Sequence, residues 1–353
     1  MTGIRLMAKE KQRPVPWKVI INIVTLLALA LLIYGVRDQI LDTLKNLKNL
    51  DTWALLLMIP AQVLNYHSIA EMYQSLLGIM QKYVRYGKLL MVTLELNFVN
   101  TVFPSGGVTG LSYFGVRMKS FGVSPGKSTL VQMLRYILLF VSFQILLFVG
   151  LIILAIGGDA SNMAILIAGS LATLLLVGTL GAMFIVGSER RINGFFSYLT
   201  RFVNRAIHIF RPKHPETINT LKVREVFTEL HENYMVMKGN PRMLRGPLIH
   251  ALMANVAEIL TIYVVYIAFG QWVNPGAIII AYAIANFAGL VSVLPGGIGI
   301  YEALMTAVLQ SAGVPVGVSI PITITYRILN MTLQLPPGYY FYHRALRHQE
   351  NQS

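Results

Sequence analysis

Six ionisable side chains fall inside or beside long apolar runs: Glu71, Glu95, Arg135, Glu258, Glu302 and Arg327. In hydrocarbon such a charge costs several kcal/mol unless it is paired or hydrated, so each one points to a partner or to a water-filled cavity. Arg135 and Arg327 share a setting, Arg135-Tyr136-Ile137-Leu138 and Tyr326-Arg327-Ile328-Leu329. A guanidinium presents a planar fork of donors that fits phosphate oxygens. Two of them facing one cavity would hold a phosphate or pyrophosphate head. The competing reading is structural, an ion pair with Glu95, Glu258 or Glu302, and the sequence leaves both open. Glu302 fits either a counter-ion to Arg327 or a proton carrier, and Glu258 is the second proton-coupling candidate. Asn97, Asn286 and Asn330 are polar groups for the same cavity, or hydrogen-bonding glue between helices. His67 and Glu71, four residues apart, allow the same two readings.

Two glycine-rich stretches sit near these charges: Phe103-Pro104-Ser105-Gly106-Gly107-Val108-Thr109-Gly110 and Leu294-Pro295-Gly296-Gly297-Ile298-Gly299. Asn-Phe precedes each (Asn97-Phe98, Asn286-Phe287), and a Tyr follows each (Tyr113, Tyr301). From Pro104 to Gly122 is 18 residues, and from Pro295 to Gly313 is also 18. Shared order and spacing indicate a duplicated unit. A helix that starts after Gly107 or Gly297 directs its positive end at the turn, where a phosphate could sit on Gly106, Gly107, Gly296 and Gly297. The alternative is a tight turn that lets helices pack closely. The first copy lacks an acid matching Glu302, which makes the second copy the expected working site.

The elements that must position these groups are membrane helices. The 353 residues are 55% hydrophobic and 12% charged, about half the charge of a soluble domain. Apolar runs of roughly 18–20 residues recur, enough to span a bilayer. With no cysteine, disulfides, thiol catalysis and cysteine metal sites are excluded. The net charge of +14 fits cytoplasmic Lys and Arg and attraction to anionic lipid heads rather than nucleic acid.

Candidate spans are Lys18 to Val36, Trp53 to Leu77, Lys127 to Ile156, Ala160 to Gly187, Leu248 to Gly270 and Ser319 to His343. Leu89 to Phe103 and Ala277 to Leu294 are apolar pieces that break at the glycine turns and resume as Thr109 to Ser120 and Tyr301 to Ala312. The segment Ser188 to Arg245 carries 11 Lys/Arg against five Glu and is expected to be cytoplasmic, like the basic N-terminus. An even number of crossings must separate the two. Four crossings result if Leu89 to Ser120 is a re-entrant hairpin. Lys82, Arg85, Lys88, Arg117, Lys119 and Lys127 then also lie inside, and the second hairpin enters from the opposite face.

The expected fold is therefore all-α and polytopic, with about six full transmembrane helices plus two re-entrant hairpins in an inverted repeat. It is one membrane domain over 1–353: repeat 1 at about 82–156, an insert at about 188–245 and repeat 2 at about 246–343. Within the insert, Ile192 to Phe210 reads as an aromatic, basic amphipathic helix for the membrane interface or the protein's own cytoplasmic ends. Thr217 to Met237 reads as a further helix.

No H-E-x-x-H, Walker loop or G-x-S-x-G occurs, and the seven His do not cluster at ligand spacing. No metal and no cofactor is expected. Asn286, Pro295-Gly296-Gly297-Ile298-Gly299, Glu302 and Arg327 together resemble the lysylphosphatidylglycerol synthetase transmembrane, flippase-like family. The likeness runs from roughly Lys18 to His343, and the first motif, with Ser105 inserted, follows the pattern more loosely. It implies a bacterial or archaeal cytoplasmic-membrane protein that moves or handles lipids, with aminoacylated phosphatidylglycerol, polyprenyl-phosphate-linked sugars and hopanoid-type lipids among the family's substrates. The charge map puts both termini inside, and the paired arginines narrow the expected cargo to an anionic lipid such as a phospholipid, aminoacyl-phosphatidylglycerol or polyprenyl-phosphate-linked lipid. In that family lipid aminoacylation belongs to a separate soluble domain. The chain stops ten residues after His343, so it is expected not to make the lysyl-lipid itself. The expectation is a translocase rather than an enzyme. The alternatives are a membrane-embedded transferase with a lipid-phosphate donor, drawing on Glu95, Glu302 or His67, and a membrane partner of a lipid- or glycan-synthesis enzyme. A homo-oligomer is compatible with all three.

Overall fold

The computed structural model describes residues 50–103, 108–157, 162–188, 239–291 and 297–350, together with isolated positions in 27–42, 190–198 and at 235. Nine helices of more than one turn occur among the described residues: α1 (Met58–Ile79), α2 (Tyr86–Val102), α3 (Val108–Ser120), α4 (Pro125–Ile156), α5 (Asn162–Val186), α6 (Arg245–Ala268), α7 (Pro275–Val291), α8 (Ile300–Ser311) and α9 (Val316–Glu350). No strand occurs among them. The chain is an all-α, multi-pass membrane protein. Among the described residues, three stretches are long and apolar enough to cross a bilayer, Pro125–Ile156, Pro241–Ala268 and Val316–Arg347. The expected span Lys18 to Val36 and the helices of the insert lie outside the described residues, apart from isolated positions.

The order short helix, break, short helix, long helix occurs twice, as α2–α3–α4 and as α7–α8–α9. The two lead helices have 17 residues each, and the two second limbs have 13 and 12. At 1.5 Å per residue the lead helices are about 26 Å long and the second limbs about 18–20 Å. Each limb is shorter than a hydrocarbon core of roughly 30 Å.

Both second limbs end alike. Gly122 (φ +76°) and Gly313 (φ +87°) take the left-handed conformation that closes a helix. The next residue's N–H then reaches back five positions, Val123 to Met118 O at 3.1 Å and Val314 to Leu309 O at 2.9 Å. Both valines are buried, which supplies the hydrophobic contact that accompanies such a cap. The shared Gly-Val spelling is therefore a shared helix stop. Ser124 then caps α4, its side chain accepting from Lys127 N at 3.3 Å, with Pro125 in the first turn.

The two units interlock. The lead helix of each packs along the long helix of the other, α2 on α9 and α7 on α4, while α1 and α6 pack together between them. Small residues set the close approach. A Cβ on Gly338 of α9 would lie 2.8 Å from Leu94 O and 2.7 Å from Phe98 Cβ on α2, and one on Gly276 of α7 would lie 2.7 Å from Leu154 N on α4. Small side chains that let backbones meet are how helices associate where the solvent is lipid. Phe98, Val102 and Phe103 at the end of α2 form one apolar cluster with Tyr342 of α9 and Ile298 beside the second break. The two interruptions therefore converge on the same cluster.

Gly338→Leu is expected to destabilise the fold by about 1–3 kcal/mol, because backbone rather than a flexible side chain must move aside. Gly78→Ala meets nothing within 4 Å and is expected to leave stability unchanged or slightly raised. Thermal unfolding in detergent measures both. Equal stability of the two variants would contradict backbone contact at the α2–α9 seam.

Candidate functional site

Polar residues recur along one face of otherwise apolar helices. On α9 they are Tyr326, Asn330 and Gln334, four apart. On α2, Thr93, Asn97 and Thr101 follow the same interval. Residues four apart share a helix face, so each set makes a stripe. The stripes surround a cavity of about 320 Å³ to which every labelled helix except α3 and α5 contributes.

Glu258 of α6 is the hub. The residue is 9% exposed, and its carboxylate accepts from Gln62 Nε2 at 2.9 Å, Tyr326 OH at 2.6 Å and Asn330 Nδ2 at 2.7 Å. The amides extend the network. Gln334 Nε2 donates to Gln62 Oε1 at 3.2 Å and to Asn330 Oδ1 at 2.9 Å. Asn97 Nδ2 donates to Gln334 Oε1 at 3.0 Å and to Tyr66 OH at 3.1 Å. Four helices, α1, α2, α6 and α9, are thereby tied to one carboxylate. Hydrogen bonds to a charged group are worth about 1.5–3 kcal/mol each, and losing a partner of a buried charge costs more than the bond itself contributes.

Both arginines singled out from sequence line this cavity, but their partners differ. Arg327 Nε lies 3.5 Å from Glu302 Oε1, and its guanidinium covers the Tyr301 ring at 4.6 Å. Glu302 also caps α8, its Oε2 accepting from Gly299 N at 2.7 Å. Among the described residues Arg135 forms no ion pair. Its guanidinium sits 5.5 Å from the Tyr73 ring and 5.4 Å from the Tyr136 ring. Nη1 reaches Gln132 Oε1 at 3.5 Å, while the buried Nε has no hydrogen-bond partner.

The remaining candidates divide. Asn97, Asn286 and Asn330 line the cavity. Gly297 (φ +67°) adopts the left-handed conformation expected of a glycine turn, whereas Gly106, Gly107 and Gly296 lie outside the described residues. Glu95 is off the cavity wall. It takes a bidentate pair from Arg117, at 2.7 and 3.0 Å, and a hydrogen bond from Tyr113 OH at 2.8 Å. That pair locks α2 to α3. The Arg117 side chain is 13% exposed because a carboxylate on the partner limb draws it in. His67 contacts Tyr86 OH at 2.9 Å, an interhelical bond. Sequence reasoning missed Gln62 and Gln334. The four-residue interval from Tyr326 through Asn330 to Gln334 was the signal that could have found Gln334.

Arg117→Gln strands the buried Glu95 charge and is expected to cost about 3–5 kcal/mol in detergent unfolding. The double variant Glu95→Gln with Arg117→Gln is expected to recover most of that loss. A cost below about 1 kcal/mol would place the pair in the solvent-screened class instead.

Comparison with known proteins matches residues 19–338 to the family described as the lysylphosphatidylglycerol synthase TM region. Two proteins of Methanothermobacter thermautotrophicus, each described as a UPF0104 membrane protein, are similar over shorter stretches. One is 33% identical over 91 residues, 26% of this chain and 27% of that protein. The other is 24% identical over 132 residues, 37% of this chain and 39% of that protein. The matched stretches thus span well under half of either relative.

Proposed function

The chain belongs to the lysylphosphatidylglycerol synthase TM region family, and from that premise we propose that it is a translocase for an anionic lipid. Candidate lipids are a phospholipid, an aminoacyl-phosphatidylglycerol or a polyprenyl-phosphate-linked lipid. The observation that carries the proposal is Arg135, a cation on the wall of the central cavity with no carboxylate paired to it among the described residues. A charge at that depth needs compensation, and a phosphodiester supplies it through charge-assisted hydrogen bonds. Arg327, already matched by Glu302, takes the supporting role. The preferred anion site thus moves to the first copy of the repeat, away from the second copy that the unmatched Glu302 favoured in sequence.

The proposed path follows from the interrupted helices. In this reading α2–α3 and α7–α8 enter the bilayer from opposite faces as re-entrant hairpins, as in the inverted repeats of secondary transporters. Both termini lie in the cytoplasm of a bacterial or archaeal cell and the protein sits in its cytoplasmic membrane. The head group crosses through the polar cavity, against Arg135 and the Asn and Gln stripes, while the acyl chains stay in lipid. The amide-rich wall replaces head-group hydration with fixed dipoles. No residue acts as nucleophile or general acid in this scheme.

Proteoliposomes holding purified protein and nitrobenzoxadiazole-labelled phosphatidylglycerol, quenched by dithionite, give the test. Wild type is expected to expose inner-leaflet probe to quenching. Arg135→Gln is expected to slow this by about 10–100-fold, the equivalent of one lost charged hydrogen bond. Lys119→Gln, at an exposed position, is expected to behave as wild type. An unchanged rate in Arg135→Gln would remove the proposed site.

A further inference from the structure

We infer that Gln132 is the positioning residue of the proposed anion site: its uncharged amide holds the Arg135 guanidinium in place without neutralising it, which leaves that charge for a phosphate oxygen. The inference rests on the lipid-binding reading above and adds the residue that decides whether its arginine can take an anion.

Gln132 lies three residues before Arg135 on α4 and is buried, a spacing that puts both on one helix face. Its Oε1 receives two donors, Arg135 Nη1 at 3.5 Å and Tyr73 OH at 3.4 Å. A guanidinium carries donors alone, so the amide atom turned toward it is the oxygen. The Tyr73 hydroxyl on the same atom holds the amide that way round. Tyr73 of α1 is itself fixed, fully buried and stacked on Phe114 of α3 with ring centres 4.8 Å apart. The rings of Tyr73 and Tyr136 lie 5.5 and 5.4 Å from the guanidinium carbon. Three helices, α1, α3 and α4, thus support one cation with uncharged groups.

Both contacts to Oε1 are long for hydrogen bonds, so the amide restrains the arginine without satisfying it. A phosphate oxygen, in a charge-assisted bond of about 2.7–2.9 Å, is the stronger partner. The second unit shows the alternative arrangement. There Arg327 faces the Glu302 carboxylate at 3.5 Å, and its charge is answered from within the protein. Glutamine and glutamate have nearly the same shape and differ in charge. A glutamate at 132 would stand at helical ion-pair spacing from Arg135 and would compete with lipid for the cation. One side-chain amide therefore separates an available arginine from a committed one.

The test uses full-length protein in detergent. Calorimetric titration follows binding of dihexanoylphosphatidylglycerol, and thermal unfolding is measured without lipid. Gln132→Met keeps the size and removes the oxygen. It is expected to weaken binding by about 3–10-fold, the contribution of one ordinary hydrogen bond. Gln132→Glu is expected to weaken binding by about 30-fold or more, as for loss of a charged hydrogen bond, while unfolding without lipid occurs at the wild-type temperature or above it. Binding lost while stability is kept or raised marks a neutralised cation, whereas a residue that only packs would lower both. Wild-type affinity in either variant overturns the inference. So does a Gln132→Glu protein that loses stability along with affinity. Where Arg135→Gln loses binding and both Gln132 variants keep it, the lipid site stands and the role of Gln132 alone falls. If wild type does not bind, or Arg135→Gln binds as well as wild type, the proposed site fails and the inference falls with it.

Discussion

A carboxylate inside an apolar helical bundle must be answered by the protein around it, and Glu258 is answered by Gln62, Tyr326 and Asn330 from two neighbouring helices. Much else in the structure follows from that requirement. The amides that serve Glu258 need partners of their own, which draws in Gln334 and then Asn97 and Tyr66. Close packing here cannot be purely apolar, because apolar contact alone gives helices little preference for each other over lipid. The network supplies that preference, and the space its side chains leave open is the cavity.

The same constraint governs the breaks. Where α2 and α7 stop, their last carbonyls lose helical partners, as do the first N–H groups of the helices that follow, and these groups must meet protein or water. Phe103 and Ile298, which flank the two breaks, meet in one apolar cluster. The two units solve local problems in different ways. In the second, Glu302 caps the new helix and faces Arg327. In the first, the acid is Glu95 on the lead helix and its partner is Arg117 on the second limb. Each unit thus has one acid paired with an arginine, placed differently, and among the described residues Arg135 has no carboxylate paired to it.

Much of this was legible in the residues. The all-α, multi-pass class followed from composition and run length. The two interrupted helices followed from Pro104 and Pro295 with their glycines, and the matched 18-residue spacing to Gly122 and Gly313 corresponds to a matched helix stop. Arg135 and Arg327 were picked out as charges too deep to be incidental, and both line the cavity. Partner choice was legible only in part: Glu302 was offered as a counter-ion to Arg327 and lies 3.5 Å from it, but the pairing of Glu95 with Arg117 was not. Nothing local distinguishes Glu95 bound to Arg117 from Glu95 facing a cavity, since the limbs pair only after the chain reverses. Gln62 was hidden for the same reason: a lone glutamine in an apolar helix gains meaning only from Glu258, 196 residues away.

The central claim is that water and an anionic head group reach a cavity walled by Arg135. Because the chain has no cysteine, single thiols report on this directly. A charged, membrane-impermeant methanethiosulfonate reagent is predicted to label Thr101→Cys and Met331→Cys, both on the cavity wall. It is predicted to spare Val149→Cys on the outer face of α4, where the side chain is 41% exposed in the isolated protein and covered by lipid in a membrane. Dihexanoylphosphatidylglycerol is predicted to protect the two cavity thiols, and Arg135→Gln to abolish the protection. Cavity thiols that stay unlabelled, or protection that persists without Arg135, would contradict the account.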